Sequence, residues 1–191
     1  MTALTNDFEK LANEVLSTYK ITKSPFREIS RICKGENIRL RPANLSQGVD
    51  GLFANMDEQK FIFYNSNKPG QRSVFTKAHE LGHYFLKHTL DEQKLICSNV
   101  GGYSKSNKQE WQADQFAVYF LMPNELMAEH FITACSLTNR SYRQPLYVDK
   151  QPCNYKDWKV FCWYYRSELG ISSEALRYRL ENLGLLNWNL D

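Results

Sequence analysis

Several marks of common protein classes are missing from this sequence of 191 residues. It contains no run of roughly 18 consecutive apolar residues, the length needed to cross a membrane as a helix. Residues 1 to 20 mix acidic and apolar side chains, whereas an export signal begins with a basic patch followed by an apolar run. We therefore expect a protein that is neither membrane-spanning nor exported.

The five cysteines include no CxxC pair, the spacing that commonly begins a zinc-binding or redox motif. They are scattered along the chain and odd in number. We expect reduced thiols without a functional role, as is usual for proteins of the cytoplasm. Together with the missing export signal, this predicts a cytoplasmic location.

A strong charge of either sign is also absent, because 24 Lys and Arg face 21 Asp and Glu and the pI is about 8.5. Dedicated nucleic-acid domains are more basic than this. Arg177 and Arg179 near the C-terminus could contact phosphates, but Glu174 and Glu181 interrupt the patch. We expect no direct binding to nucleic acid.

What the sequence does contain predicts an α+β fold. With 42% hydrophobic and 14% aromatic residues, the chain can bury a sizeable core. Apolar residues follow helical spacing at 4–19, 25–34, 69–88, 107–121, 126–134, 155–169 and 173–183, and strand-like spacing at 37–41, 51–56 and 60–65. We expect helices packed around a small antiparallel sheet of about three strands, with a C-terminal helical hairpin capped by Ser172 and ended by Gly184.

The stretch His79-Glu80-Leu81-Gly82-His83 is an HExxH pattern within a predicted helix. Residues four apart on a helix are separated by about 40° around its axis, so both imidazoles can face one metal ion. Glu80 emerges between them and can reach a water molecule on that ion without being a ligand, as a general base must. About 0.006 such matches would arise by chance in a chain of this composition, which makes coincidence a poor explanation.

A catalytic zinc site usually has three protein ligands and one open position, so a third ligand must come from elsewhere in the chain. Glu110 and Asp114 are four residues apart in the next predicted helix and share one of its faces. One of the two can bind the metal while the other orients a ligand imidazole. Spacing alone leaves open which does which.

Two segments resemble the ImmA/IrrE family of bacterial metallopeptidases. They are Arg72-x-x-Phe75-Thr76-x-Ala78-His79-Glu80-Leu81-Gly82-His83 and Glu110-x-x-Ala113-Asp114-x-Phe116-Ala117-x-x-Phe120-Leu121-Met122-Pro123. The resemblance covers residues 50 to 125 and, more loosely, the C-terminal helix. It implies a zincin-like domain over residues 1–135, with a loop and a helical hairpin over residues 136–191 packed on the same domain.

The resemblance also implies a zinc site and its chemistry. His79, His83 and Glu110 correspond to the Zn²⁺ ligands and Glu80 to the catalytic base. Asp114 would support a ligand imidazole, and it is the fallback for the third ligand. Relatives of this kind cleave helix-turn-helix repressors of mobile elements or stress genes, so the expected partner is a DNA-binding repressor as protein substrate.

A second hypothesis is a zinc-binding module that sequesters a regulator without cleaving it, as part of a phage or toxin-antitoxin system. The C-terminal hairpin favours it, whereas Glu80 favours the enzyme, because a structural zinc site has no use for a free carboxylate.

Three further residues, His88, His130 and Tyr103, could belong to the site but also fit an ordinary structural role. His88 would be turned about 140° from His83 on a continuous helix, so it should miss the metal and orient a ligand or serve structure. His130 fits a core histidine. Tyr103 could stabilise an oxyanion, but a plain loop tyrosine is the simpler interpretation.

Overall fold

The computed structural model describes residues 2–46, 48–68, 70–88 and 105–190, with the backbone alone for residues 2–6 and 105–107. Contacts group the chain into two compact units, Met1–Leu121 and Met122–Asp191. Among the described residues, no helix is both long and apolar enough to span a membrane.

The first unit combines helices with a small sheet. Its helices are α1 (Thr2–Thr18), α2 (Pro25–Gly35), α3 (Gly70–Phe85) and α4 (Lys105–Leu121). Its strands are β1 (Ile38–Ala43), β2 (Gly51–Met56) and β3 (Gln59–Asn65). This mixture of helix and sheet confirms the predicted α+β class.

The sheet is mixed rather than wholly antiparallel, which corrects the predicted arrangement. Its order is β1-β3-β2, with β3 antiparallel to β2 but parallel to β1. The turn at Asp57 and Glu58, both with positive φ, joins β2 and β3 as a tight hairpin. The longer connection from β1 to β2 lets β3 insert between them, and alternation of side chains carries no information about strand direction.

Helices α3 and α4 approach closely at one point in the first unit. A Cβ added to Gly82 would lie 3.0 Å from the carbonyl oxygen of Ala113 and 3.2 Å from the Phe116 ring. Ala113, Phe116 and Ala117 are fully buried on the same face of α4. A small residue at position 82 therefore lets side chains of α4 reach the HExxH residues of α3.

The second unit consists of α5 (Asn124–Leu137), β4 (Leu146–Val148), α6 (Pro152–Leu169), α7 (Ser173–Asn182) and β5 (Leu186–Trp188). Helices α6 and α7 confirm the predicted hairpin. Gly170, in a left-handed conformation, follows the last residue of α6, and the Ser172 side chain accepts a hydrogen bond from the Ala175 amide at the start of α7. Strands β4 and β5 pair in parallel and were not predicted.

Candidate metal centre

Helix α3 presents three residues of the HExxH pattern from its buried face. His79 and His83 are each 8% exposed and Glu80 is 1% exposed. One helical turn separates the two histidines, and their Nε2 atoms lie 3.0 Å apart. Burial against the rest of the first unit therefore holds both rings with the same nitrogen directed at one point.

Helix α4 places Glu110 and Asp114 beside different ring nitrogens of His79. Glu110 Oε2 lies 3.1 Å from His79 Nε2, and its other oxygen lies 3.5 Å from His83 Nε2. Asp114 Oδ1 instead lies 2.8 Å from Nδ1 of His79, the opposite ring nitrogen. Among the described residues, the donor atoms that converge within 4.8 Å of one another belong to His79, His83 and Glu110.

The chemistry of these donors fits a metal cation. Asp114 accepts the Nδ1 proton of a neutral His79, which leaves a lone pair on Nε2. That lone pair faces the Glu110 carboxylate and the Nε2 atom of His83, at separations of 3.1 and 3.0 Å. A tetrahedral ion about 2.1 Å from each donor would set neighbouring donors roughly 3.4 Å apart, close to these distances. The three residues can therefore hold a metal ion.

Glu110 is ionised in this setting. Burial by itself would raise the pKa of its carboxyl group, but the His79 and His83 side chains beside it lower the pKa well below its usual range. A carboxylate is thus available at neutral pH to offset the charge of a cation.

The Glu80 carboxylate lies beside the first residue of strand β2. A Cβ added to Gly51 would lie 2.7 Å from Oε1 of Glu80 and 2.3 Å from a methyl carbon of Thr76. Both distances are too short for a real side chain. The Glu80 carboxylate therefore occupies space that exists only because residue 51 is glycine.

An ion pair connects the start of α3 to the residue before β2. Arg72 donates from Nε and from a terminal nitrogen to Oδ2 of Asp50, at 2.7 and 2.6 Å. Asp50 directly precedes Gly51. This pair holds the helix that carries Glu80 against the strand that Glu80 contacts.

His88 contacts His83 because α3 ends at Phe85, so the rotation expected for a continuous helix does not apply. Nδ1 of His88 lies 2.9 Å from Nδ1 of His83. On the other side of the ring, Nε2 of His88 lies 3.1 Å from Oε1 of Gln112 on α4.

Other residues noted in the sequence lie elsewhere. Tyr103 is outside the described residues. Nδ1 of His130 is hydrogen-bonded to the Tyr164 hydroxyl, and burial lowers the pKa of this histidine. Arg179 is 5% exposed and donates to the carbonyl oxygen of Met122, so it is not part of a solvated basic face.

Sequence reasoning missed Gly51 and Gln112. Gly51 begins a predicted strand, where nothing signals that a carboxylate from another element will press against it. Gln112 lies between Glu110 and Asp114, and the sequence pattern marks only the two acidic residues as candidate metal ligands. The one available signal was the position of Gln112 in the chain. It lies two residues from both Glu110 and Asp114, so its side chain leaves α4 within one helical turn of theirs.

Comparison with known proteins agrees with this geometry. The profile of the IrrE N-terminal-like domain family matches residues 33–181. "Metallopeptidase ImmA" of Bacillus subtilis (strain 168) is 33% identical over 104 residues, which cover 53% of this chain. The chain spans 57% of the length of that relative. Because the family match covers most of the chain, including every residue of the metal centre, the chain belongs to the family of IrrE N-terminal-like domains.

Proposed function

We propose that this chain is a zinc-dependent endopeptidase that acts on a protein substrate. The observation that carries the proposal is the convergence of donor atoms from His79, His83 and Glu110, with the buried Glu80 next to His79 in the same helix. Membership of the family and the similarity to a metallopeptidase support it.

Zinc is the metal that this donor set favours. Two imidazoles and one carboxylate, with a fourth position left open, are typical of catalytic zinc sites. Bound there, zinc would polarise a peptide carbonyl and lower the pKa of water to about 7. His79, His83 and Glu110 would hold the ion, and Asp114 would keep the His79 proton on Nδ1.

Glu80 would move the proton that hydrolysis requires. Its carboxylate would accept a proton from the attacking water and pass it to the nitrogen of the cleaved peptide bond. Because Glu80 is 1% exposed, few water molecules compete for this carboxylate. The contact with Gly51 and the Asp50–Arg72 ion pair would keep it in place.

Strand β2 is our proposed docking site for the substrate backbone. Among the described strands it pairs with β3 alone, which leaves its other edge available for main-chain hydrogen bonds to an extended peptide. The strand begins at Gly51, beside Glu80, so a peptide on this edge would pass close to the proposed base.

For the substrate we propose a helix-turn-helix repressor of a mobile element or stress regulon, met in the cytoplasm. The resemblance to the ImmA/IrrE family supports this choice. Repressor cleavage would then regulate transcription without any contact between this chain and DNA.

The test compares wild type with Glu80→Gln, using as candidate substrates any helix-turn-helix repressors that neighbouring genes encode. Glu80→Gln should keep its zinc content and melting temperature but cleave at least about 10²-fold more slowly, because it lacks the base. Zinc content, melting temperature and cleavage, followed by mass spectrometry, should be measured on the same preparations.

Two outcomes would count against the enzyme. Cleavage undiminished in Glu80→Gln would refute the role of Glu80. Tight binding of the repressor by wild type without cleavage would favour the module that sequesters a regulator.

A further inference from the structure

The end of helix α3 turns the chain back onto its own metal face. Lys87 has a φ of 53°, in the left-handed region, and its amide donates to the carbonyl oxygen of Tyr84 at 3.1 Å. The amide of His88 donates to the carbonyl oxygen of His83, also at 3.1 Å. These two bonds form a Schellman motif, which explains why the side chain of residue 88 can lie beside that of residue 83.

A continuous path of side chains leads from this turn to helix α4. The rings of His83 and His88 meet edge to face with centroids 4.9 Å apart, joined by the 2.9 Å contact between their Nδ1 atoms. The other nitrogen of His88 lies 3.1 Å from the amide oxygen of Gln112. Both contacts lie outside the set of converging donors, so no cation separates the paired atoms, and each contact must contain one proton to be this short. The 3.0 Å contact between Nε2 of His79 and Nε2 of His83 differs, because there a cation can lie between the two lone pairs.

The direction of the hydrogen bond between His88 and Gln112 determines the direction of the one between His83 and His88. The Gln112 oxygen can only accept, so the proton of a neutral His88 lies on Nε2 and its Nδ1 carries a lone pair. His83 must then donate from Nδ1 to His88. Its own Nε2 keeps a lone pair, directed at the converging donors of the metal centre.

The reverse direction is incompatible with metal binding. If the amide nitrogen of Gln112 faced His88, it would donate to Nε2, and the His88 proton would move to Nδ1. His83 would then have to accept on Nδ1 and carry its proton on Nε2. A protonated Nε2 has no lone pair for a cation.

We infer that Gln112 and His88 are positioning residues that hold His83 in the tautomer with its proton on Nδ1, so that its Nε2 is ready to bind the metal. Gln112 thus does for His83, through an intervening imidazole, what Asp114 does directly for His79. The inference rests on the proposed metal site, and it assigns no contact between Gln112 or His88 and the ion.

The experiment uses full-length wild type, Gln112→Met and Gln112→Glu, with Gln115→Met as control. Methionine keeps the length of the side chain without the amide oxygen, whereas a glutamate carboxylate only accepts and should preserve the relay. Gln115 is a half-buried glutamine on the same helix, so its replacement matches the change in polarity. Nitrogen-15 NMR of the histidine rings reports each tautomer directly, before and after zinc is added, and chelator competition measures zinc affinity.

In wild type before zinc is added, we expect the proton of His83 on Nδ1 and that of His88 on Nε2. Gln112→Met should show mixed tautomers at both histidines and bind zinc about 10-fold more weakly. Gln112→Glu should restore the wild-type tautomers and affinity, and Gln115→Met should match wild type in both measurements.

A His83 proton on Nε2 in the zinc-free wild type, or wild-type tautomers in Gln112→Met, would overturn the inference. Failure of the proposed metal site would look different. In that case the tautomers could follow our expectation, but His83→Ala would bind zinc as well as wild type.

Discussion

At the scale of single residues, the proposed chemistry depends on the absence of a side chain at Gly51. Glu80 is buried against Gly51, and any Cβ there would overlap both its carboxylate oxygen and the methyl group of Thr76. Glu80 and Thr76 are both buried, so neither side chain can move aside into solvent to relieve the overlap. The position of the proposed base is therefore sensitive to the smallest possible enlargement of residue 51.

Gly51→Ala should lower kcat for substrate cleavage at least about 10-fold, because a displaced catalytic group loses its alignment with the reacting atoms. Zinc content should stay at the wild-type level, since the ligands lie on α3 and α4. Steady-state kinetics and elemental analysis would check both expectations.

Gly70→Ala is the matched control for this change. A Cβ at Gly70, the first residue of α3, would meet no atom within 4 Å. Its kcat should equal that of wild type. An unchanged kcat in Gly51→Ala would show that the contact with Glu80 has no bearing on turnover.

At the scale of secondary structure elements, the metal centre is a property of two helices and their separation. Helix α3 supplies His79 and His83, and helix α4 supplies Glu110 and Asp114. Each helix by itself presents only half of these residues. The close approach at Gly82 and Ala113 brings the halves within hydrogen-bonding distance.

Gly82→Ala should weaken zinc binding about 10-fold and destabilise the protein by about 1 to 3 kcal/mol. The new methyl group would lie 3.0 and 3.1 Å from backbone atoms of Ala113, so α4 would have to shift away from α3. Chelator competition and denaturant unfolding would measure the two effects.

Gly70→Ala again provides the comparison, because it makes the same substitution on the same helix without a close neighbour. It should leave zinc affinity unchanged. Wild-type affinity in Gly82→Ala would mean that the distance between the helices does not limit metal binding.

At the scale of the whole molecule, a buried tyrosine in the second unit makes stability depend on pH. Tyr165 is fully buried, and its hydroxyl donates to the carbonyl oxygen of Met127 at 3.1 Å. Burial raises the pKa of this hydroxyl, with smaller contributions from Tyr164 and Cys135. Because the pKa is higher in the folded protein than in the unfolded chain, the stabilisation is complete below about pH 10 and is lost as the pH rises further.

Tyr165→Phe should be about 1 kcal/mol less stable than wild type at pH 7, where it lacks one buried hydrogen bond. Between pH 10 and 11 the difference should shrink, because only wild type must keep this hydroxyl protonated in order to stay folded. Denaturant unfolding at a series of pH values would measure the free energy of unfolding of each protein.

Tyr178→Phe serves as the control, since Tyr178 is 56% exposed. It should follow the wild-type curve throughout. A constant difference between wild type and Tyr165→Phe from pH 7 to 11 would contradict the expected shift in pKa.

Local patterns were enough to predict much of this protein. The helices and strands of the first unit, the C-terminal hairpin, the Ser172 cap and the family were all predicted from residue spacing and motifs, and all are confirmed. Spacing also predicts that His79 and His83 share one face of α3. Each of these features depends on residues within a few turns of one another, so the sequence alone contains the necessary information.

Only the tertiary structure decided how distant segments meet. The parallel pairing of β1 with β3, the contact between Gly51 and Glu80, and the path from Gln112 to His83 each join residues from separate elements. Spacing also left the roles of Glu110 and Asp114 open, whereas the folded chain puts one carboxylate beside Nε2 of His79 and the other beside Nδ1. The physical reason is that a helix or strand determines which side chains share a face, but the packing of elements determines which atoms of those side chains face each other.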